Sequence, residues 1–155
     1  MEIEDLITPA GVIPKLRATG KKHALQELAK RAADVTGLHE RAIFDVLLER
    51  ERLGSTGVGN GIAIPHGKLA SINRVYGLFA RLSTPIAYDS LDGQPVDLVF
   101  VLLAPDHAGA DHLKALARIS RLLRENDTIA KLRGTDTAEG LYSILTEPSA
   151  AASAA

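Results

Sequence analysis

Most of the side chains able to do chemistry fall within one short stretch, Arg50-Glu51-Arg52-Leu53-Gly54-Ser55-Thr56-Gly57-Val58-Gly59-Asn60-Gly61-Ile62-Ala63-Ile64-Pro65-His66-Gly67-Lys68. Gly57, Gly59 and Gly61 alternate through it, so the backbone can approach a ligand closely and gather its N–H groups into an anion-binding nest. Around them stand two hydroxyls (Ser55, Thr56), three bases (Arg50, Arg52, Lys68) and one histidine, His66. That set suits a bound phosphoryl group: an imidazole nucleophile, donors for the phosphoryl oxygens and cations for their charge. His66 lies between Pro65 and Gly67, which stiffens its approach and leaves its side chain free to project. From spacing alone, the same residues also describe a glycine-rich connection with an idle, solvent-facing His66. The run is not a dinucleotide fingerprint, because a predicted helix rather than a strand precedes it, and the spacing of a Walker loop is missing.

Asp106-His107-Ala108-Gly109-Ala110-Asp111-His112 forms a second candidate, between a predicted strand and a predicted helix. Loops at the carboxyl ends of sheet strands are where α/β proteins place ligands. His112 falls in the first turn of that helix, where N–H groups and the dipole favour an anion, although a neutral structural histidine fits the same position. A metal set of His66, His107, Asp111 and His112 can be written, but its spacing follows no HExxH-type pattern, and no metal site is assigned. No Gly-x-Ser-x-Gly elbow supports Ser55 or Thr56 as a hydrolase nucleophile. His23 and His39 fall in or beside charged helix surface and read as solvated.

These groups need a scaffold, and the patterning supplies one. Val12 to Leu16 reads as a strand that Pro14 places at an edge or bulge. Lys21 to Thr36 is predicted as a helix with Leu25, Leu28, Ala29 and Ala32 inward and Gly37 as its stop. His39 to Leu53 follows as a second helix with Ile43, Val46 and Leu47 inward. Its last turn carries Arg50 and Arg52, where cations suit the helix dipole. Ser55 to Gly61 is predicted as a loop and Ile62 to Ile64 as a brief extended piece. Val75 to Ser83 and Val96 to Leu103 read as strands, the latter with the unbroken apolar run of a buried centre. Ala110 to Glu125 is predicted as a helix with Leu113, Leu116, Ala117, Ser120 and Leu123 on its apolar stripe. Asp127 to Arg133 and Thr137 to Thr146 read as short closing helices, and Pro148 onward as a frayed tail. The expected architecture is α/β: a single compact domain with a mixed β-sheet flanked by helices.

Composition agrees and narrows the function. The chain has 155 residues and 16.5 kDa, one domain's worth. Its 46% apolar and 24% charged residues are those of a folded globular chain. A net charge of −1 provides no field for nucleic acid or anionic lipid. The absence of cysteine rules out disulfides, thiolate metal sites and thiol nucleophiles. Acids near the amino terminus (Glu2, Glu4, Asp5) and no apolar run beyond Leu98 to Ala104 point to a cytoplasmic protein without membrane insertion.

The stretch Gly54 to Lys68 closely resembles the active-site signature of the enzyme IIA domains of the bacterial phosphoenolpyruvate-dependent phosphotransferase system, of the mannitol/fructose type and above all its nitrogen-regulatory branch. Similarity continues at Thr84 to Asp89, Asp92 to Phe100 and His112-Leu113, and spans roughly Ile3 to Leu145. The resemblance implies a IIA domain over residues 1–147, with 148–155 outside it, that accepts a phosphoryl group on His66 from an HPr-like phosphocarrier. It places the family's second active-site histidine on His112 and its arginine on Arg50. Ser55, Thr56, Gly57 and Lys68 would then complete the phosphoryl-binding shell, with no cofactor and no metal. For the nitrogen branch it implies regulated partners such as potassium-transport or sensor proteins. A sugar-specific IIA component serving a IIB domain is the other reading, and the lack of attached carrier or sugar-binding domains favours the regulatory one.

Overall fold

The computed structural model describes residues 2–147, so the predicted tail from Pro148 lies outside the described residues. One mixed sheet holds six strands: β1 (Val12–Leu16), β2 (Gly57–Gly59), β3 (Ile62–Ala63), β4 (His66–Leu69), β5 (Tyr76–Ile86) and β6 (Val96–Pro105). Their order is β1-β5-β6-β3-β2, with β4 also paired to β6. β6 is the axis. It pairs antiparallel with β5 along one edge and parallel with β3 and then β4 along the other. β1 is an edge strand, parallel to β5, as Pro14 predicts.

Five helices cover the sheet: α1 (Lys21–Thr36), α2 (Glu40–Arg52), α3 (Gly109–Leu122), α4 (Asn126–Arg133) and α5 (Ala138–Leu145). Alternation along β6 builds two cores. Val99, Val101 and Leu103 pack with α1 and α2, whereas Leu98, Phe100, Leu102 and Ala104 pack with α3, α4 and α5. Both faces are covered, which is why β6 shows no polar alternation in sequence. The expected single α/β domain with a mixed, helix-flanked sheet is what the structure shows.

Four local expectations are corrected. The predicted loop Ser55 to Gly61 holds a hairpin, β2–β3, turning at Asn60 and Gly61, both at positive φ (57° and 79°), the signature of a tight primed turn. His66 to Lys68, left without a regular element, opens β4, which is too short and too polar to show a strand pattern. The inward row of α3 is His112, Ala115, Ile119 and Leu122 rather than one that includes Leu113 and Ala117, both exposed. The predicted stripe holds at Leu123, which is buried, and at Leu116, which packs against the core, but it passes over His112 and puts Leu113 in its place. In α2, Phe44 joins Ile43 and Leu47 inside and Val46 is half-buried.

Candidate functional site

Three elements deliver three side chains to one place. α2 brings Arg50 in its last turn, β4 brings His66 as its first residue, and α3 brings His112 one turn in. Pro65 fixes the arrival of β4: it has no N–H to offer, and its carbonyl accepts from Leu102 N–H at 3.0 Å, locking the next residue into register with Leu102. Gly67 then lets β4 lie against α2, since a Cβ there would run into Val46 Cγ1. Successive residues alternate, so Gly67 and Leu69 face α2 while His66 and Lys68 turn to the other side. There α3 brings His112, packed 8% exposed beneath the helix.

The two imidazole rings stand 5.6 Å apart between centroids, tilted by 47°. Arg50 Nε donates to His66 Nε2 at 3.3 Å, and the guanidinium is braced by a second bond to the Gly54 carbonyl at 2.9 Å. His66 Nδ1 lies 2.8 Å from the Ile64 carbonyl. A carbonyl only accepts, so Nδ1 carries the proton and donates. The Nε2 lone pair therefore faces the pocket, the tautomer a nucleophile needs. Burial holds the His66 pKa below the ordinary 6.5; the bond to the Ile64 carbonyl pulls it back up in part, and the Arg50 charge lowers it against a weaker upward pull from Glu51. His112 is pushed the same way by burial, by His66 and by Lys68. Its Nδ1 is buried with no partner among the described residues. A buried lone pair costs less than a buried unbonded N–H, which puts the proton on the other nitrogen, Nε2. Arg50, Leu53, His66, Lys68 and His112 line an open pocket of about 390 Å³.

The remaining predicted residues are placed elsewhere. Ser55 Oγ donates to the Tyr88 carbonyl at 2.8 Å and accepts from Gly57 N–H at 3.1 Å. The Thr56 hydroxyl is buried, donating to the Glu51 carboxylate and lying 3.2 Å from Tyr88 Oη. Gly57 packs on Ser90, leaving no room for a side chain. These three turn away from the pocket, and of the predicted shell only Lys68 lines it. Asp106, His107 and Asp111 are exposed, and among the described residues no three metal-ligating side chains are gathered. His39 is exposed yet occupied, accepting from Arg41 N–H as the N-cap of α2. Sequence reasoning missed Glu51, Tyr88 and Lys21. The signal for Glu51 was present: Ile43, Leu47 and Glu51 repeat every four residues, which places an acid on the apolar row of α2.

A mixed-sheet α/β domain with a histidine pair at the seam of its two helical layers defines the class. The family model for "Phosphoenolpyruvate-dependent sugar phosphotransferase system, EIIA 2" matches residues 5–147, and the chain belongs to that family. It is 59% identical over 152 residues to a "Nitrogen regulatory protein" of Bradyrhizobium diazoefficiens, covering 98% of this chain and 99% of that one. A "PTS system fructose-specific EIIA component" of Haloferax volcanii is 35% identical over 151 residues, covering 95% and 98%. The crystal structure of "Nitrogen Regulatory Protein IIA-Ntr" from Neisseria meningitidis superposes with a TM-score of 0.88 at 32% identity, covering 93% of this chain and 99% of that one. The resemblance read from the Gly54–Lys68 signature is thereby borne out. Among the described residues, no helix is long and apolar enough to cross a membrane.

Proposed function

We propose that this protein is a phosphoryl carrier of the phosphotransferase system in which His66 Nε2 takes the phosphoryl group. The observation that carries the reading is the His66 geometry: Nδ1–H tied to the Ile64 carbonyl, the Nε2 lone pair directed at Arg50 and the pocket, and a ring kept neutral by burial. The donor is an HPr-like phosphohistidine carrier. Its N–P bond breaks as the bond from phosphorus to His66 Nε2 forms, and the donor imidazole leaves with the electron pair. Such transfers run through a loose, metaphosphate-like state, so positioning and charge do most of the catalysis. Arg50 moves its donors from the lone pair to the phosphoryl oxygens, His112 offers its Nε2–H, and Lys68 adds a cation. Ser55, Thr56 and Gly57 act indirectly, by shaping the loop. The carrier unit is residues 1–147, working in the cytoplasm.

On this reading the phosphorylation state regulates partner proteins, as the name of the 59% identical relative suggests. A phosphoryl group adds about two negative charges to a neutral ring, enough to admit or repel a partner such as a potassium-transport or sensor protein. The fructose-specific name of the Haloferax relative supports a second reading, delivery to a sugar-specific IIB domain. The test combines phosphoenolpyruvate, an enzyme I and an HPr-type carrier with wild type and His66→Ala. Intact mass should show one acid-labile phosphate on wild type alone. A phosphate on His66→Ala, or none on wild type while a control acceptor is labelled, would refute the carrier reading. Efficient onward transfer to a fructose- or mannitol-type IIB would favour the sugar reading.

A further inference from the structure

Glu51 is a carboxylate in an unfavourable place. It is buried, and it stands in the last turn of α2, where the helix dipole repels negative charge. Three contacts offset that cost. Lys21 Nζ on α1 lies 2.9 Å from Oε1, Thr56 N–H donates to the same oxygen at 3.0 Å, and the Thr56 hydroxyl donates to Oε2. Tyr88 Oη closes the cluster against Thr56, and the Lys21 ammonium sits 4.7 Å from the Tyr88 ring centroid. An acid so elaborately satisfied fixes something, and the chain of bonds shows what. Glu51 captures Thr56, and its own carbonyl accepts from Gly54 N–H at 3.1 Å. Gly54 is thus held on both sides, and its carbonyl is the brace for Arg50, whose Nε reaches His66.

We infer that Glu51 is a positioning residue for phosphoryl transfer: through Thr56 and the Gly54 carbonyl it sets the Arg50 guanidinium over His66 Nε2. This rests on His66 as the phosphoryl acceptor. Glu51 touches no reacting atom, so its effect must pass through Arg50.

Two measurements test this, one without any phosphoryl donor. In Glu51→Gln the carboxylate is lost with little change of shape. Phosphate uptake should slow about tenfold, and Glu51→Gln should add nothing further in an Arg50→Ala background. Multiplicative losses in the double variant would overturn the inference. The second readout is the His66 ring titrated by NMR in wild type and Glu51→Gln. The groups acting on this ring are Arg50, Glu51, His112 and the Ile64 carbonyl. Losing the Glu51 charge alone lowers the His66 pKa; freeing Arg50 removes the larger downward pull and raises it. An upward shift is expected, and a downward or absent shift would refute positioning even where uptake cannot be measured. Should Glu51→Gln fold poorly, Thr56→Val removes the hydroxyl link alone and should shift His66 upward, with Thr56→Ser restoring it; a Thr56→Val ring that titrates as wild type would count against the inference.

Discussion

The two walls of the His66 pocket are built differently. On the α2 side, Arg50 is bonded to both the Gly54 carbonyl and His66, and the turn beneath it is tied to a buried acid. On the α3 side, His112 is held by packing: its Nδ1 has no partner among the described residues, and the next residue, Leu113, is 66% exposed. A wall fixed by directional bonds keeps a charge in one place, while a wall fixed by packing can tilt as a ligand arrives. On the carrier reading proposed above, the contrast would give Arg50 an electrostatic role set before the phosphoryl group appears, and His112 a donor role completed on its arrival.

Deleting each wall should therefore give unequal losses. Arg50→Ala is expected to slow phosphate uptake by about 100- to 1,000-fold, the cost of one prepositioned charge stabiliser. His112→Ala should cost about tenfold, and rapid-quench transfer rates for the two would compare them directly. Equal losses would erase the distinction between the walls. Gly67→Ala sharpens the comparison by moving the strand that carries His66. Its new Cβ meets Val46, so a loss of about 1–3 kcal/mol is expected in chemical denaturation, recovered in part by Val46→Ala.

Both histidines also mark the pH dependence of folding. Their folded pKa values lie below the ordinary 6.5, so the unfolded chain binds more protons between the two values. Stability contributed by the neutral rings is complete above about pH 6.5 and is lost as pH falls toward the folded values. Replacing either histidine should flatten that acid-side slope in denaturation curves measured between pH 7 and pH 5. The smallest effect belongs to the hairpin that faces away from both walls. Its turn is clamped by Arg133, which donates to the Asn60 carbonyl and to both oxygens of Asp97, with Asp92 accepting from Asn60 N–H. Arg133→Ala should cost about 1 kcal/mol or less, since the pair is partly solvated, and should leave the transfer rate unchanged.

How much of this was visible in the sequence follows from the range of the interactions. α1 was legible to the residue because its stop is local: Gly37 takes a left-handed conformation (φ 78°) that ends the helix. β6 was legible because burial on both faces leaves an unbroken apolar run. β4 was not, since its pairing with β6 is a tertiary fact and its sequence, His-Gly-Lys-Leu, has no strand character. For the site, the histidine and its charged neighbours showed in the spacing, whereas the orientation of Ser55 and Thr56 did not. The Ser55 hydroxyl is decided by the Tyr88 carbonyl, more than thirty residues away, and the Thr56 hydroxyl by a Glu51 carboxylate that only the fold buries, with Tyr88 Oη beside it. A local reading aims every polar group of a glycine-rich loop at the ligand; the fold spends half of them on holding the loop.

Leu53 lines the pocket and is 80% exposed, so a protein that covers this leucine also closes over His66. On the proposed carrier reading, docking and phosphoryl occupancy would share one free energy, and reciprocity between them would be obligatory. A partner that prefers the unmodified ring by a given factor lowers the equilibrium affinity of that ring for the phosphoryl group by the same factor. The abundance of such a partner would then act back on the donor, making the protein a two-way gauge rather than a one-way messenger.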